Sequence, residues 1–311
     1  MLRKRWYIYP IIGIFIIGFI LGSFLDLQIN SAIYDHYNWY GLFMAAFGET
    51  PVYASFGIIG YGFLYLLKFY KKIAVKSLFI VGIIASAGCS IFFQGHHIFD
   101  INAYNDKSMM WLGYLIATFL YCGGFLVGYF ILKNTDIEPN KILFILLALL
   151  VVEGFAVGVN QLAKILMSRP RYRFLADMNM VEDYYRNWWE SGKDIRDSVL
   201  GSQTKWPGTD ILITKEEFKS FPSGHMTNTF VMLPIFASFP LLNNKLKIKQ
   251  EVLITIAVCW NIALAYSRMR VGAHFLSDVS AGSLLTLIVF FVVDELYRVL
   301  EKRFFPEEKA I

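Results

Sequence analysis

Long apolar runs constrain the fold of this chain more than any other feature. The chain has 311 residues, of which 56% are hydrophobic and only 17% are charged. Runs of about 18 or more apolar residues indicate membrane-spanning helices, because in hydrocarbon only helices and closed barrels satisfy their own backbone groups. These runs are too long for barrel strands, so the sequence predicts an all-α, polytopic membrane helix bundle. About eight spans are predicted, near residues 6–25, 51–69, 76–94, 110–132, 141–163, 222–242, 250–267 and 275–297.

The first run follows a basic start and has to be distinguished from a signal peptide. It is apolar from Trp6 to Leu25, which is longer than the apolar core of a signal peptide, and it lacks a clear small-residue cleavage site. We therefore expect a retained first span.

The distribution of Lys and Arg predicts the orientation of the spans. With a cytoplasmic N-terminus, the basic segments 68–76, 245–249 and 298–309 also lie inside, whereas the outer loop 26–50 holds no Lys or Arg. Cytoplasmic loops carry such a bias, so the net charge of +5 need not indicate nucleic-acid binding, and no nucleic-acid partner is predicted. The pattern predicts a multi-pass protein of the cell membrane with both termini in the cytoplasm.

Two basic segments depart from this bias, and both lie on the predicted outer face. They are the long loop 164–221 and the short segment 267–274. Cations gathered on one face against the topological bias indicate a site for an anion. The long loop is also rich in aromatic residues, which favours an interfacial belt over a lid or lipid-headgroup wall.

Three polar clusters lie at the predicted outer ends of spans: KILMSRPRYR (164–173), FPSGH (221–225) and SRMRVGAHFLSD (267–278). A phosphoryl-transfer site needs fixed cations and N–H donors around the phosphate oxygens, a nucleophile and a proton donor. Arg suits phosphate because its planar fork binds two oxygens at once. Ser223 and Gly224 precede the sixth span, where the N–H groups of a helix start can contact an anion.

Two histidines supply the reactive groups. His274 and Asp278 are four residues apart, which on a helix places them on one face, one turn apart. The carboxylate could then hold one ring nitrogen and leave the other free to attack. His225 has no acidic residue nearby in sequence and is the better candidate for the general acid.

These clusters resemble the signature of the type 2 phosphatidic acid phosphatase superfamily, which includes glucose-6-phosphatase and the vanadium haloperoxidases. The second part, Pro-Ser-Gly-His, is complete at 222–225, and the third, Ser-Arg-x5-His-x3-Asp, is complete at 267–278. The first part, Lys-x6-Arg-Pro, is imperfect, because Tyr172 follows Arg171 where proline is usual. The alternative register at Arg169-Pro170 puts Leu162 at the lysine position. We therefore select Lys164 and Arg171, and leave Arg169 and Arg173 as rim contacts.

The resemblance implies a role for each matching residue. His274 would be the nucleophile that forms a phosphohistidine, Asp278 would orient it, and His225 would protonate the leaving group and later activate water. The phosphate-binding residues would be Lys164, Arg171, Ser223, Gly224 and Arg268. No metal or cofactor is implied.

The resemblance also implies a division of the chain and a class of substrate. Family members usually have six spans, so residues 1–140 of this single integral membrane domain include two additional helices, and residues 141–300 form the catalytic core. The implied partner is a membrane lipid that carries a phosphate or diphosphate, such as phosphatidic acid, phosphatidylglycerol phosphate or isoprenyl diphosphate. The implied reaction is hydrolysis at the extracytoplasmic face. A lipid phosphotransferase with the same site is an alternative, and an anion transporter is a weaker one.

Three polar groups lie outside the signature. His96 and His97 are expected in an outer interfacial loop rather than at a metal site, which needs three or four convergent ligands. Glu49 is expected to cap the second span. Glu153, inside the fifth span, is expected to pair with a cation of the site or with a neighbouring helix.

Overall fold

The computed structural model describes residues 1–2, 6–100 and 110–305, and all regular elements in these ranges are helices. This confirms the predicted all-α fold. The α-helices are α1 (Ile8–Ile33), α2 (Trp39–Phe47), α3 (Thr50–Leu66), α4 (Ile73–Asp100), α5 (Met110–Leu132), α6 (Pro139–Met167), α7 (Tyr172–Asp177), α8 (Val181–Tyr184), α9 (Lys193–Gly201), α10 (Gly224–Phe230), α11 (Met232–Leu242), α12 (Gln250–Arg270) and α13 (Leu276–Phe304). A short 3₁₀ helix covers Lys215–Phe218.

Eight helical segments of the described chain are long and apolar enough to cross a membrane, as predicted. Three of these segments each combine two helices: α2 with α3, α6 with α7, and α10 with α11. The first helix differs from its prediction, because it continues past residue 25 to Ile33. Asp26 and Asn30 lie in this extension. Both are polar but buried, and the helix continues through them.

The spans pack as two neighbouring groups. In one group, α3 packs against both α4 and α5. In the other, α13 packs against α1, α6 and α10, and α11 packs against α12. Contacts of α3 with α6 and of α2 with α12 join the groups. The first span therefore belongs with the helices of the three sequence clusters.

The long loop 164–221 is a folded unit. Its short helices enclose a small apolar core of Phe174, Leu175, Ile195, Val199, Ile213 and Phe218. We call residues 172–220 the cap. Trp188 of the cap stacks on Phe221, with ring centroids 5.6 Å apart, and donates a hydrogen bond to the Ser23 hydroxyl of α1 at 2.8 Å. The cap is thus attached both to α1 and to the second polar cluster.

Two glycines allow α3 and α5 to touch. A methyl group at Gly124 would overlap the backbone carbonyl of Ala54, and one at Gly57 would overlap the backbone of Tyr121 and Phe125. Small residues that let helix backbones approach are a common source of helix association in membranes.

Gly124→Ala should therefore lower the unfolding temperature of the detergent-solubilised protein, because overpacking of this kind costs about 1–3 kcal/mol. The matched control is Gly123→Ala, since nothing lies within 4 Å of a methyl group at that position. The control should be neutral or slightly stabilising, because Ala favours helix over Gly by about 1 kcal/mol. Equal unfolding temperatures for the two variants would contradict the close approach.

Candidate active site

The three polar clusters meet at one end of the helix bundle. There, α6 and α12 end and α10 and α13 begin, so each cluster joins a helix terminus. The rings of His225 and His274 lie 6.1 Å apart between centroids. Gly224 lies beside the Lys164 ammonium group, which would be 3.2 Å from a methyl group at that glycine. Residues more than 100 positions apart in sequence thus form one candidate site.

His274 is fully buried, and its two ring nitrogens differ in environment. Nδ1 lies 2.7 Å from the backbone carbonyl oxygen of Ser220, which can only accept, so Nδ1 carries the proton. Nε2 then has the lone pair, and it has no hydrogen-bond partner among the described residues. Burial, reinforced by the charges of Arg171 and Lys164, lowers the pKa of His274 to about 3. The ring is therefore neutral near pH 7 with one free nitrogen.

Asp278 is placed differently from the expected arrangement. His274 precedes α13, which begins at Leu276, so the two residues are not one turn apart on a helix. The Asp278 Oδ2 atom is 3.8 Å from His274 Nδ1, which is too long for a hydrogen bond. That oxygen accepts hydrogen bonds from the Phe275 N–H at 2.8 Å and from the Ser220 hydroxyl at 2.5 Å. The Ser220 carbonyl makes the contact to Nδ1 expected of Asp278, while Asp278 fixes the backbone beside the ring.

The two arginines expected at the rim are engaged in ion pairs. Arg169 is fully buried, and its guanidinium contacts Asp278 Oδ1 at 2.6 Å. Arg173 forms a bidentate ion pair with Glu217, in which Nη2 donates to Oε1 at 2.6 Å and Nε donates to Oε2 at 2.9 Å. Burial alone would raise the pKa of Glu217, but the charge of Arg173 outweighs it and the pKa is lowered. Arg169 is an internal element of the site rather than a rim contact.

The predicted phosphate-binding cations retain free donors. Arg268 is 3% exposed, yet its Nε and Nη1 atoms have no hydrogen-bond partner among the described residues. Lys164 donates one hydrogen bond, to the Lys219 carbonyl at 3.2 Å, and Arg171 donates from Nε to the Glu216 carbonyl at 3.0 Å. Buried donors without acceptors are costly, so the Arg268 fork indicates a place for an anion.

The second cluster forms the start of α10. Ser223 is the N-cap residue, and its side-chain oxygen accepts from the Met226 N–H. Gly224 is the first residue of the helix, where backbone N–H groups lack an intrahelical acceptor. This arrangement agrees with the helix start predicted for these residues.

The structure explains the departure of the first cluster from the family pattern. Tyr172 stands where the family has proline, and it is the first residue of α7, with Arg171 as the N-cap. Proline is favoured at the first helical position but is not required there. The Tyr172 ring packs edge-on against Tyr34 and Phe275, at centroid distances of 5.2 and 6.1 Å.

Two polar residues from the other helix group also reach the site. The His97 ring lies 5.6 Å from the His225 ring, and His97 Nε2 lies 3.3 Å from the Glu49 carboxylate. The expectation of an outer loop was wrong, because α4 continues to Asp100 and includes His96 and His97. Glu49 makes no side-chain cap to α3 and instead accepts a hydrogen bond from Tyr53 at 2.7 Å. Their sequence neighbourhoods carry no signal of this contact.

Glu153 pairs with no cation at its Oε2 atom, which is buried without a hydrogen-bond partner among the described residues. It lines a small cavity between α3, α6 and α11, with Val52, Phe56 and Ile235. The expected pairing with the site is not observed.

Comparison with known proteins gives the same family as the signature. A family model described as the PAP2 superfamily matches residues 143–302, slightly more than half of the chain. Phosphatidylglycerophosphatase B of Bacillus subtilis is 36% identical over 86 residues, which are 26% of this chain and 40% of that protein. Lipid A 1-phosphatase of Rhizobium etli is 38% identical over 103 residues, which are 29% of this chain and 40% of that protein.

The chain thus spans about two fifths of the length of the curated relatives that it matches. No solved structure gives a significant match. The family match covers all three clusters and the helix termini that bring them together. This chain belongs to the PAP2 superfamily.

Proposed function

We propose that this protein is a membrane-bound phosphatase that hydrolyses a lipid phosphate or diphosphate through a phosphohistidine on His274. The observation that carries the proposal is the buried, neutral imidazole of His274, whose Nε2 atom has no hydrogen-bond partner in the part of the chain that the structure describes. A nucleophile of this kind, near cations with unused donors, is what phosphoryl transfer requires.

The proposed first step is attack by His274 Nε2 on phosphorus. The P–N bond forms as the bond to the lipid oxygen breaks, and His225 gives its proton to that oxygen. The ring keeps its Nδ1 proton on the Ser220 carbonyl and gains positive charge, which the nearby Asp278 carboxylate stabilises. In the second step, water gives a proton to His225 and attacks phosphorus, which releases phosphate and restores His274.

The proposed phosphate ligands are Lys164, Arg171 and Arg268, with Ser223 and the Gly224 N–H. Arg268 is the strongest of these candidates, because two of its buried nitrogen atoms have no other partner among the described residues. Developing charge on the phosphate oxygens is stabilised by donors that are already oriented before the reaction.

The proposed substrate is a lipid such as phosphatidic acid, phosphatidylglycerol phosphate or isoprenyl diphosphate. The names of the two relatives, a phosphatidylglycerophosphatase and a lipid A phosphatase, support a phosphorylated lipid. The eight apolar helical segments support a substrate that reaches the site from the membrane.

We propose that the site faces the extracytoplasmic side of the cell membrane and that both termini are cytoplasmic. The support is the distribution of Lys and Arg between loops, which places the short basic loops on the opposite side from the site.

A lipid phosphotransferase is the second candidate, because the same phosphohistidine could pass its phosphate to an acceptor hydroxyl instead of water. A phosphorylated acceptor, rather than free phosphate, would identify it. An anion transporter would give flux without phosphate release, and it leaves the free His274 nitrogen without a role.

The first test is phosphate release from a panel of lipid phosphates by the purified protein and by His274→Ala. The panel contains phosphatidic acid, phosphatidylglycerol phosphate, isoprenyl diphosphate and a sphingoid phosphate. The variant should lose activity on every lipid that the wild type hydrolyses, because the nucleophile is gone. The control is His96→Ala, an exposed residue of α4, which should keep full activity. Full activity of His274→Ala would refute the proposed mechanism.

A second test separates the two arginines of the third cluster. Arg268→Gln should lower kcat/KM by about 10- to 100-fold, since a hydrogen bond to a charged group contributes about 1.5–3 kcal/mol. Arg270→Gln is the control, because Arg270 is only partly buried and pairs with Asp35 at 3.4 Å. Equal effects of the two substitutions would argue against a phosphate contact by Arg268.

A third test addresses the source of positive charge. If Lys and Arg side chains supply all of it, phosphate release should persist in excess EDTA. Loss of activity in EDTA, with recovery on addition of a divalent cation, would indicate a metal-dependent reaction.

A further inference from the structure

On one face of α1, small and polar residues recur every four positions and lead toward the site. Along this face lie Gly18, Gly22, Asp26 and Asn30, which a helix places in one row. The row contacts the beginning of α13: a methyl group at Gly22 would overlap the Ser277 backbone, and one at Gly18 would meet the Ser280 hydroxyl. The two glycines thus allow α1 to approach closely enough for its polar residues to reach the site.

The polar members of this row contact residues around the proposed nucleophile. Asn30 donates a hydrogen bond to the backbone carbonyl of His274 at 3.2 Å. Asp26 is 1% exposed and accepts from the Ser277 N–H at 2.9 Å, from the Ser277 hydroxyl, and from Arg169 Nη2 at 2.9 Å. All three contacts are donors, so each of them stabilises the carboxylate form of Asp26 against the cost of burying it.

Arg169 connects Asp26 to Asp278. Its Nη2 group contacts Asp26 at 2.9 Å and its Nη1 group contacts Asp278 at 2.6 Å. The guanidinium also stacks on the Phe275 ring, 4.1 Å from the centroid. Asp26, Arg169 and Asp278 therefore form one buried chain of charges.

Arg169 has no donor left for a substrate. A guanidinium has five N–H groups. Besides the two carboxylates, its acceptors are the Arg186 carbonyl at 2.8 Å, the Ser277 hydroxyl at 2.9 Å and the Tyr185 hydroxyl at 3.4 Å. Five acceptors account for five N–H groups, in contrast to the unused donors of Arg268.

The charges of Asp26, Arg169 and Asp278 do not cancel when both carboxyl groups are ionised. If Arg169 faced Asp278 alone, the pair would be neutral and would do little to stabilise positive charge on His274. With Asp26 ionised as a second carboxylate, the three side chains would carry one net negative charge, and the Asp278 end of the group lies 3.8 Å from His274 Nδ1.

We propose that Asp26 is a positioning residue of the active site, which acts through Arg169 to hold Asp278 and to keep net negative charge behind His274. The inference rests on the proposed phosphohistidine reaction. The ring becomes positively charged as the P–N bond forms, so Asp26 stabilises the transition state more than the bound substrate. Its loss should lower kcat and leave KM nearly unchanged.

The experiment uses the full-length protein in detergent with the most active lipid of the panel. It compares Asp26→Asn, Asp278→Asn and the double variant, with Asp35→Asn as the control. Asp35 follows the C-terminal end of α1 and also pairs with an arginine, but its side chain is 43% exposed. We measure kcat, KM and the rate at which ³²P from the labelled lipid becomes bound to the protein.

Asp26→Asn should lower kcat and the rate of ³²P incorporation at least about tenfold, with KM within about threefold of the wild type. The double variant should be no slower than Asp278→Asn, because residues that act as a unit are not additive. The control should match the wild type. An unchanged kcat, or an equal loss from Asp26→Asn in both backgrounds, would overturn the proposal.

Arg169→Lys provides a second variant if Asp26→Asn does not fold. It keeps the positive charge but cannot bridge two carboxylates with one planar fork, so kcat should fall in the same way. Wild-type kcat in this variant would also overturn the proposal. A wild type that releases no phosphate from any lipid refutes the proposed function, whereas an active wild type with a fully active Asp26→Asn refutes only the role of Asp26.

Discussion

The buried guanidinium of Arg169 holds together the parts of the chain that surround His274. It joins α1 through Asp26, α13 through Asp278, and the cap through the Arg186 carbonyl. A buried charge is tolerated only where it is paired and its hydrogen bonds are satisfied, and Arg169 meets both conditions. Removing either carboxylate would leave an N–H group of the buried guanidinium without its acceptor. The position of His274 therefore depends on the ion pairs of Arg169, although Arg169 itself does not contact the His274 ring.

This arrangement separates two uses of arginine. All five N–H groups of Arg169 donate to acceptors within the protein. Arg268 is similarly buried, but two of its nitrogen atoms have no partner among the described residues. Both residues lie in the signature clusters, and their charge and residue type are identical. Only the positions of acceptors distinguish the one that stabilises the fold from the one proposed to hold phosphate.

Much of the fold could be predicted from sequence, because apolar length alone identifies membrane helices and the three clusters fall at their ends. The contacts between clusters were harder to predict. Asp26 marked the end of an apolar run, and nothing local indicates that it is buried against Arg169. The Ser220 carbonyl contacts His274, but every residue has a backbone carbonyl, so the residue type at position 220 could not predict this contact. His97 contacts His225 from a helix outside the family match, and Glu49, also outside it, contacts His97.

The central claim is that His274 Nε2 becomes covalently bound to phosphorus. The most direct measurement is to quench the wild-type reaction with a ³²P-labelled lipid phosphate at successive times, and to locate the label by mass spectrometry of peptides. The account predicts a phosphoryl group on His274 that is lost in acid, and none in the His274→Ala variant. Label on another residue, or hydrolysis with no labelled protein at any time point, would contradict it.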